Sequence, residues 1–333
     1  MVYRYLADHP DLEHALLVTV LTGEAAGAHG LFGDGRILAA DPLFPDHFTY
    51  EAACAFPAGV SETGGHRIFT ETLGGRSSMV ICGGGHVATA LLKLAVLTGF
   101  ETYVLEDRPA FAAAAEENGA DHILTGSFRE SLRSIPDDEG RFYVVMTRGH
   151  RFDMECLEEI LPRRPRYAGM MCSRRRVADA RKRMKEAGLT DEMFDALHAP
   201  IGLPIGAETP EEIAVSVMAE VISVLRKNPV QRIPEGVLEL LNGETPCVLA
   251  QIVARMGSAP RAAGTRMVIT ADSITGTIGG GCFEAEVIRK ARTLLAASAP
   301  SAMMRVDLTG REKPDPDGTD CGGVMDLFLE VHA

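Results

Sequence analysis

Met79-Val80-Ile81-Cys82-Gly83-Gly84-Gly85-His86-Val87-Ala88 decides the fold of this chain. Four apolar residues read as a buried strand. The turn after them has the G-x-G-x-x-A spacing, with Ala88 where a third glycine often stands. Glycines at Gly83 and Gly85 let the backbone turn tightly and approach a phosphate that a Cβ would repel. The helix that follows carries Val87, Leu91, Leu94 and Ala95 on one face, the spacing that packs on a sheet. A second strand, residues 102–105, ends in Glu106-Asp107-Arg108. Asp107 lies close to the spacing of about 20 residues expected of an acid that meets a ribose hydroxyl, while Arg108 would favour a 2′-phosphate. Strand, turn, helix, strand and acid in this order predict a Rossmann domain. Fold does not fix the ligand, so NAD(P), another nucleotide and an empty crevice all stay open.

Working outward, short apolar strands alternate with helical patterns over residues 77–228, the signature of βαβ units and a parallel sheet. Residues 141–146 read as a strand that delivers Thr147-Arg148-Gly149-His150 to the sheet's carboxyl edge, where ligands bind in open α/β folds. Residues 167–171 read as another, followed by Cys172-Ser173-Arg174-Arg175-Arg176. His86 and His150 are therefore expected on one crevice. Residues 174–185 hold seven basic side chains, read either as a solvated helix face or as a phosphate contact. Thr209-Pro210-Glu211-Glu212 predicts a capped helix start, and Ile213, Val217, Val221 and Leu225 give that helix a packing stripe. Basic residues and prolines over 226–236 read as a linker.

These boundaries predict an α/β protein with a Rossmann-like parallel-sheet domain at 76–229. Small α+β segments flank it at 1–75 and 235–333. Strands are expected at 15–22 and 36–40 in the first segment. Residues 15–23 and 35–38 echo residues 247–254 and 265–270, so the first segment reads as a degenerate copy of the last; chance similarity of strand lengths explains the echo equally well.

A second glycine turn, Thr277-Ile278-Gly279-Gly280-Gly281-Cys282-Phe283-Glu284, joins a strand at 273–278 to an amphipathic helix at 283–297. Gly279, Gly280 and Gly281 let backbone N–H groups converge on an anion, and a helix start adds unpaired donors and partial positive charge. A thiol at Cys282 is biased there toward thiolate, the better nucleophile and metal ligand. Arg261 and Arg266, in the stretch 257–266 that leads into strand 265–270, supply forked donors for an oxyanion. Asp320-Cys321-Gly322-Gly323 places a second cysteine beside glycines, after an acidic, proline-containing stretch at 311–320 that reads as a mobile loop. A Cys282–Cys321 disulfide is disfavoured in a reducing compartment, and zinc lacks further ligands at suitable spacing. Exposed thiols for a soft ligand or for sulfur transfer suit the glycine contexts best. The other five cysteines read as small buried apolar residues.

Composition narrows the function classes. The 333 residues are 46% hydrophobic and 24% charged, the proportions of an ordinary globular chain. A net charge of −13 argues against nucleic acid as a partner, which needs a basic face. No apolar run approaches a membrane span, and the start is not a signal peptide. Seven cysteines, an odd number with no Cys-x-x-Cys pair, point to the cytoplasm.

Together these motifs resemble the xanthine dehydrogenase accessory factor family, the XdhC/CoxI proteins. Gly257-Ser258, Pro260-Arg261, Gly264, the turn from Gly279 to Glu284 and Cys321-Gly322-Gly323 resemble the XdhC/CoxI domain. The XdhC Rossmann domain is matched by the Gly83 turn, Asp107-Arg108-Pro109, Arg148-Gly149-His150, Ser173-Arg174-Arg175 and the stretch His198-Ala199-Pro200-Ile201-Gly202-Leu203. Three features depart from the usual pattern. The cysteine-bearing domain here follows the Rossmann domain, residues 1–75 lack its glycine–cysteine turn, and Cys172 stands where the family more often has glycine.

The resemblance implies a maturation factor, a chaperone more than a turnover enzyme. Such a protein binds molybdenum cofactor (molybdopterin, in mono- or dinucleotide form), protects it during sulfuration and helps insert it into a molybdenum hydroxylase apoenzyme of the xanthine dehydrogenase or aldehyde oxidoreductase type. A cysteine desulfurase and a second copy of the chain, as a homodimer, are the further partners implied. On that reading Cys282 meets the molybdenum with Cys321 second, Glu284 orients or shuttles a proton, and Arg261 and Arg266 hold anionic groups. The alternative function is an NAD(P)-dependent oxidoreductase that uses the Rossmann crevice with His86 and His150.

Overall fold

Alternating apolar residues build three sheets in the computed structural model, which describes residues 1–10, 12, 14–138, 140–227, 230–258, 261–307 and 323–332, and of Cys282 only the backbone. The chain divides into two units, Arg76–Pro229, and Met1–Gly75 together with Val230–Ala333. The two ends, which the sequence presents as separate segments, thus belong to one body.

The first stretch runs α1 (Val2–Asp8), β1 (Ala15–Val20), β2 (His29–Gly33), β3 (Arg36–Ala40), α2 (Tyr50–Ala55), β4 (Gly59–Thr63) and β5 (His66–Leu73). Its sheet is antiparallel, in the order β3-β2-β1-β5-β4.

The Rossmann unit follows with β6 (Ser78–Cys82), α3 (His86–Leu97), β7 (Glu101–Glu106), α4 (Pro109–Glu117), β8 (His122–Thr125), α5 (Phe128–Ser134) and β9 (Phe142–Val145). It continues with α6 (Asp153–Ile160), β10 (Tyr167–Met170), α7 (Arg174–Glu186), α8 (Asp191–Asp195), β11 (Leu197–His198) and α9 (Pro210–Leu225). All six strands are parallel, in the order β11-β10-β9-β6-β7-β8. The order reverses between β6 and β9, which makes that carboxyl edge the ligand crevice of the fold. Strand alternation divides the core. Met79 and Ile81 pack with Leu91 and Leu92 of α3 and Val217 and Val221 of α9. Val80 and Cys82 face Leu132 of α5, Leu157 of α6 and Met184 of α7. At the start of α9, Thr209 Oγ1 accepts from the Glu212 N–H while Glu212 Oε2 accepts from the Thr209 N–H, a complete capping box.

The last stretch runs α10 (Glu235–Asn242), β12 (Cys247–Gly257), β13 (Arg266–Ile269), β14 (Ile274–Gly276), α11 (Cys282–Ala296), β15 (Ala302–Asp307) and β16 (Gly323–His332). Its antiparallel sheet has the order β14-β13-β12-β16-β15, the same plan as the first sheet. The echo in sequence sets residues 35–38 against 265–270, which is one strand out of step: β2, not β3, is the counterpart of β13. The strand His29–Gly33 is short and glycine-bounded, so it gives little alternation to read.

Registers make the equivalence residue by residue. Leu17 pairs with Glu71 and Leu31, as Leu249 pairs with Glu330 and Val268. Thr19 pairs with His29, as Gln251 pairs with Arg266. One face of each sheet packs under its own helix. Val18, Val20 and Ile68 lie with Ala53 of α2, while Val248, Ala250 and Leu327 lie with Val287 and Ala291 of α11. The other faces meet, with Leu17 and Leu31 in one cluster with Leu249 and Val268, closed by Val2 and Leu6 of α1 and Val237 of α10.

Two buried ion pairs cross that contact in opposite directions. The Arg266 guanidinium donates to Glu71 Oε1, which also accepts from Gln251 Nε2 at 2.7 Å. Its counterpart His29 lies 3.3 Å from Glu330 Oε2 through Nε2, with Asp41 Oδ2 3.0 Å from Nδ1 and the Tyr3 hydroxyl 2.9 Å from Nε2. Burial lowers the His29 pKa, but the Glu330 charge and the hydrogen bonds to Asp41 and Glu330 outweigh it and hold the ring at about 9. Burial opposes the Glu330 charge, which His29 and His332 nonetheless hold down at about 2.

Two outcomes are expected. Arg266→Met strands a buried carboxylate and should cost about 3–5 kcal/mol in urea unfolding, much of it recovered in the Glu71→Gln/Arg266→Met double variant. The His29 pKa is raised, so its contribution is full below about pH 6.5 and is lost as pH rises through about 9. Thermal melts should therefore show stability of about 3 kcal/mol declining across that window, and a flatter profile in His29→Gln.

Candidate functional site

The turn before α11 is made by three consecutive residues in the left-handed region, Gly279 (φ 134°), Gly280 (φ 75°) and Gly281 (φ 82°). Only glycine adopts such a run without strain. Space for a Cβ is open at Gly280 and Gly281, so the turn's backbone is reachable. Gly281 is the N-cap of α11 and provides no side-chain cap, which leaves the first-turn amides without one. Cys282 opens the helix; its side chain, like all of Cys321 and the stretch 311–320, lies outside the described residues.

Glu284 differs from its expected role. From the third helical position its Oε2 accepts from Thr277 Oγ1 at 2.7 Å, the Gly280 N–H at 3.0 Å and the Ile278 N–H at 3.1 Å. Partial burial opposes its charge, but Thr277 and the Gly280 and Ile278 amides hold the carboxyl below its usual range. A carboxylate held by three donors braces the turn and is poorly placed to carry protons. It also takes up the Gly280 amide, one of those that the glycine run offers as ligand donors, while Thr277 Oγ1 accepts from the Gly279 N–H at 3.1 Å. Arg266 is the second correction: it is buried against Glu71 and has no free fork for a ligand. Arg261 is exposed in the loop before β13.

At the Rossmann edge, Gly83 (φ 119°) lies so close to β9 that a Cβ would come 2.5 Å from the Met146 carbonyl oxygen. Gly85 caps α3 without a side-chain cap, and His86 is the exposed first residue of that helix. The acid that meets the glycine turn is Glu106, not Asp107. Glu106 is the last residue of β7, and its Oε2 accepts from the Gly84 N–H at 2.6 Å. Asp107, one residue later, is exposed. Arg108 is committed to Glu106, donating from Nε at 2.7 Å and from Nη2 at 2.8 Å, and its guanidinium lies 3.7 Å from the centre of the Phe111 ring. Burial raises the Glu106 carboxyl, but Arg108, Asp107 and the Gly84 amide hold it at about 2. The strand's end is the signal that points to Glu106: Val104 and Glu106 share a face, and the last residue of the strand is the one that reaches the glycine turn. His150 leaves the end of β9 with its Nδ1 2.7 Å from Asp153 Oδ2. Asp153, buried at the start of α6, belongs to none of the sequence motifs, although an acid three residues after a histidine at a helix start is a readable pairing.

Both turns are thus glycine-built helix starts on separate units. Among the described residues no cluster of His, Cys, Asp and Glu could hold a metal ion, and no helix is long and apolar enough to cross a membrane. A profile of the XdhC Rossmann domain matches residues 79–221, and one of the XdhC and CoxI family matches residues 240–307. The chain is thus built from two XdhC-type domains. It is 30% identical over 167 residues to the uncharacterised protein YqeB of Escherichia coli (strain K12), covering 50% of this chain and 30% of that one. It is 30% identical over 164 residues to a protein of Bacillus subtilis (strain 168) described as a probable xanthine dehydrogenase subunit, covering 48% of this chain and 46% of that protein. The chain therefore spans less than half the length of these curated relatives. A solved structure described as a xanthine dehydrogenase from Bacillus halodurans shares the fold, with a TM-score of 0.52, 24% identity, and coverage of 68% of this chain and 65% of that one. Within the family plan, the chain carries its Rossmann domain ahead of its XdhC/CoxI domain.

Replacing Glu284 by alanine should release the family turn without touching the core. Amide hydrogen exchange at residues 278–281 is expected to speed up about five- to tenfold, as the loss of about 1 kcal/mol of hydrogen bonding implies. Exchange in β12 and β16 should stay unchanged.

Proposed function

We propose that the chain serves the maturation of a molybdenum hydroxylase of the xanthine dehydrogenase type, by holding molybdenum cofactor at the start of α11. The observation that carries this reading is the open, uncapped glycine turn before Cys282 in the domain that matches the XdhC and CoxI family. A relative named for xanthine dehydrogenase supports the choice of client.

The residues present fit the group in part. The uncapped amides of the α11 first turn offer an anion site, and the position of Cys282 brings a thiol to the same helix end. Glu284 keeps the turn in its left-handed shape before any ligand arrives. Arg261, exposed nearby in sequence before β13, supplies positive charge on a chain of net charge −13. When bound, the cofactor would supply the molybdenum centre that the hydroxylase uses, while this chain binds, orients and shields it. Nucleotide binding at the Rossmann edge is a second reading, favoured by the uncapped start of α3 behind Gly85 and by Glu106 beside the Gly84 amide.

Purified protein mixed anaerobically with molybdenum cofactor and passed through gel filtration should retain molybdenum and pterin in equal amounts. Cys282→Ala should lower that retention about tenfold or more, the loss of one metal–thiolate contact. Equal retention by the two proteins would remove Cys282 from the site. Calorimetry with NAD+ and NADP+ tests the second reading, and absence of heat at millimolar nucleotide would end it.

A further inference from the structure

The Rossmann unit carries a second set of reactive side chains that the cofactor-holding reading does not use. A cavity of about 230 Å³ at the carboxyl edge of β9 and β10 is lined by His150, Asp153, Cys172, Arg176, Asp179 and Arg183. Three of these form a graded set. Asp153 is buried and fixed by Thr147, whose Oγ1 donates to Oδ1 at 2.6 Å and whose N–H donates at 3.3 Å. The other carboxylate oxygen takes the Nδ1 side of His150, which assigns the proton to Nδ1 and leaves Nε2 as the acceptor. His150 is held in this position at φ 61°, a left-handed conformation that costs a non-glycine residue about 1 kcal/mol or more. Cys172 is half-buried in the same cavity, two residues before α7. A nucleophile, a base and a group that orients the base are thus assembled in one concave site.

The rest of the cavity states what such a thiol would meet. Arg176 and Arg183 lie two turns apart on one face of α7, both exposed, with no ion-pair partner among the described residues. Three arginines in the first turn of α7 run against the helix dipole, an arrangement that an anion would relieve. Burial and the Asp153 charge push the Cys172 thiol up while Arg176 pulls it down, so the resting sulfur is protonated and must hand its proton over during attack.

We propose that Cys172, with His150 as base and Arg176 and Arg183 as carboxylate anchors, captures carboxylate-bearing small-molecule disulfides as a mixed disulfide. His150 Nε2 takes the Sγ proton and the thiolate attacks one sulfur of the disulfide. The new Cys172 S–S bond forms as the reagent's S–S bond breaks. The electron pair leaves on the departing sulfur, which takes the proton from His150. Cys172 is oxidised and the released sulfur is reduced to a thiol, so the exchange needs no further oxidant.

Exposed Cys54, on α2 of the other unit, provides an internal reference. The reduced full chain is treated with limiting 5,5′-dithiobis(2-nitrobenzoate), which bears two carboxylates, or with uncharged 4,4′-dithiodipyridine, and adducts are located by peptide mass. The dicarboxylate reagent should label Cys172 about tenfold faster than Cys54, and the uncharged reagent should show no such preference. Arg183→Gln, a surface change, should bring the carboxylate preference down about threefold or more. His150→Gln should slow Cys172 about tenfold or more with both reagents and leave Cys54 unchanged. Cys172 labelled no faster than Cys54 by the dicarboxylate, or a preference that survives Arg176→Gln/Arg183→Gln, would overturn the proposal.

Discussion

The pairing of Arg266 with Glu71 and of His29 with Glu330 is the constraint on which one whole unit depends. The four residues occupy matched positions, the cations on the second strand of each sheet and the acids on the fifth. Each cation reaches the acid of the other sheet. Burying two ion pairs between leucine-rich faces is not a cheap way to add stability, since desolvation offsets much of the attraction. What it supplies is register. A sheet that slid along its partner would strand four charges in an apolar contact, whereas leucines alone would tolerate the slip. The pairs thus explain how residues more than 150 positions apart, with a whole Rossmann unit between them in the chain, find a single arrangement.

The two halves share a plan but not a task. In the last stretch the connection from β14 to α11 is the three-glycine turn, with backbone amides at its surface. In the first stretch the connection from β3 to α2 carries Phe44 and Phe48, which fold back onto the sheet with Phe32 and Ala53. The Phe44 ring lies so close to β2 that a Cβ on Gly30 would meet it at 2.4 Å. Asp41, at the head of the same connection, is spent on His29 and on the N–H of Val2. Aromatic packing has filled the space where the other half keeps open backbone. The first half offers no such open turn at this connection and packs its sheet against that of the second.

The Rossmann unit is legible in the sequence because its strands are apolar on both faces and its turn is punctuated by glycine. Residues 79–82 and 141–146 need no tertiary information to be read as strands. The first stretch is mostly illegible for the opposite reason. β4 is half-exposed, β2 contains two glycines, and α2 is under two turns long, so none gives a clear period. Among site residues, the glycine turns stand out in the sequence but their acids do not. Distance along the chain favours Asp107, yet Glu106 is the residue that the strand's pleat points at the Gly84 amide. A place next to a thiol suggests a proton carrier at Glu284, yet helix geometry turns a third-position glutamate back onto the preceding amides. Arg266 has the look of a ligand contact, and only the partner strand's glutamate, 195 residues away, reveals its commitment.

The bracing by Glu284 narrows what the family turn can hold. A turn with all its amides free would suit any phosphate, and discrimination would be poor. Here a carboxylate already draws on the Ile278 and Gly280 amides and adds its own negative charge close by. A multiply charged phosphate approaching the same donors would meet repulsion as well as attraction. The donors left are the first-turn amides of α11, which the N-cap Gly281 leaves without a side-chain partner. A ligand bound chiefly through a soft metal–sulfur contact loses little to Glu284, whereas one bound chiefly through phosphate loses much. The charge that Glu284 adds beside this turn therefore weighs against ligands held chiefly through phosphate.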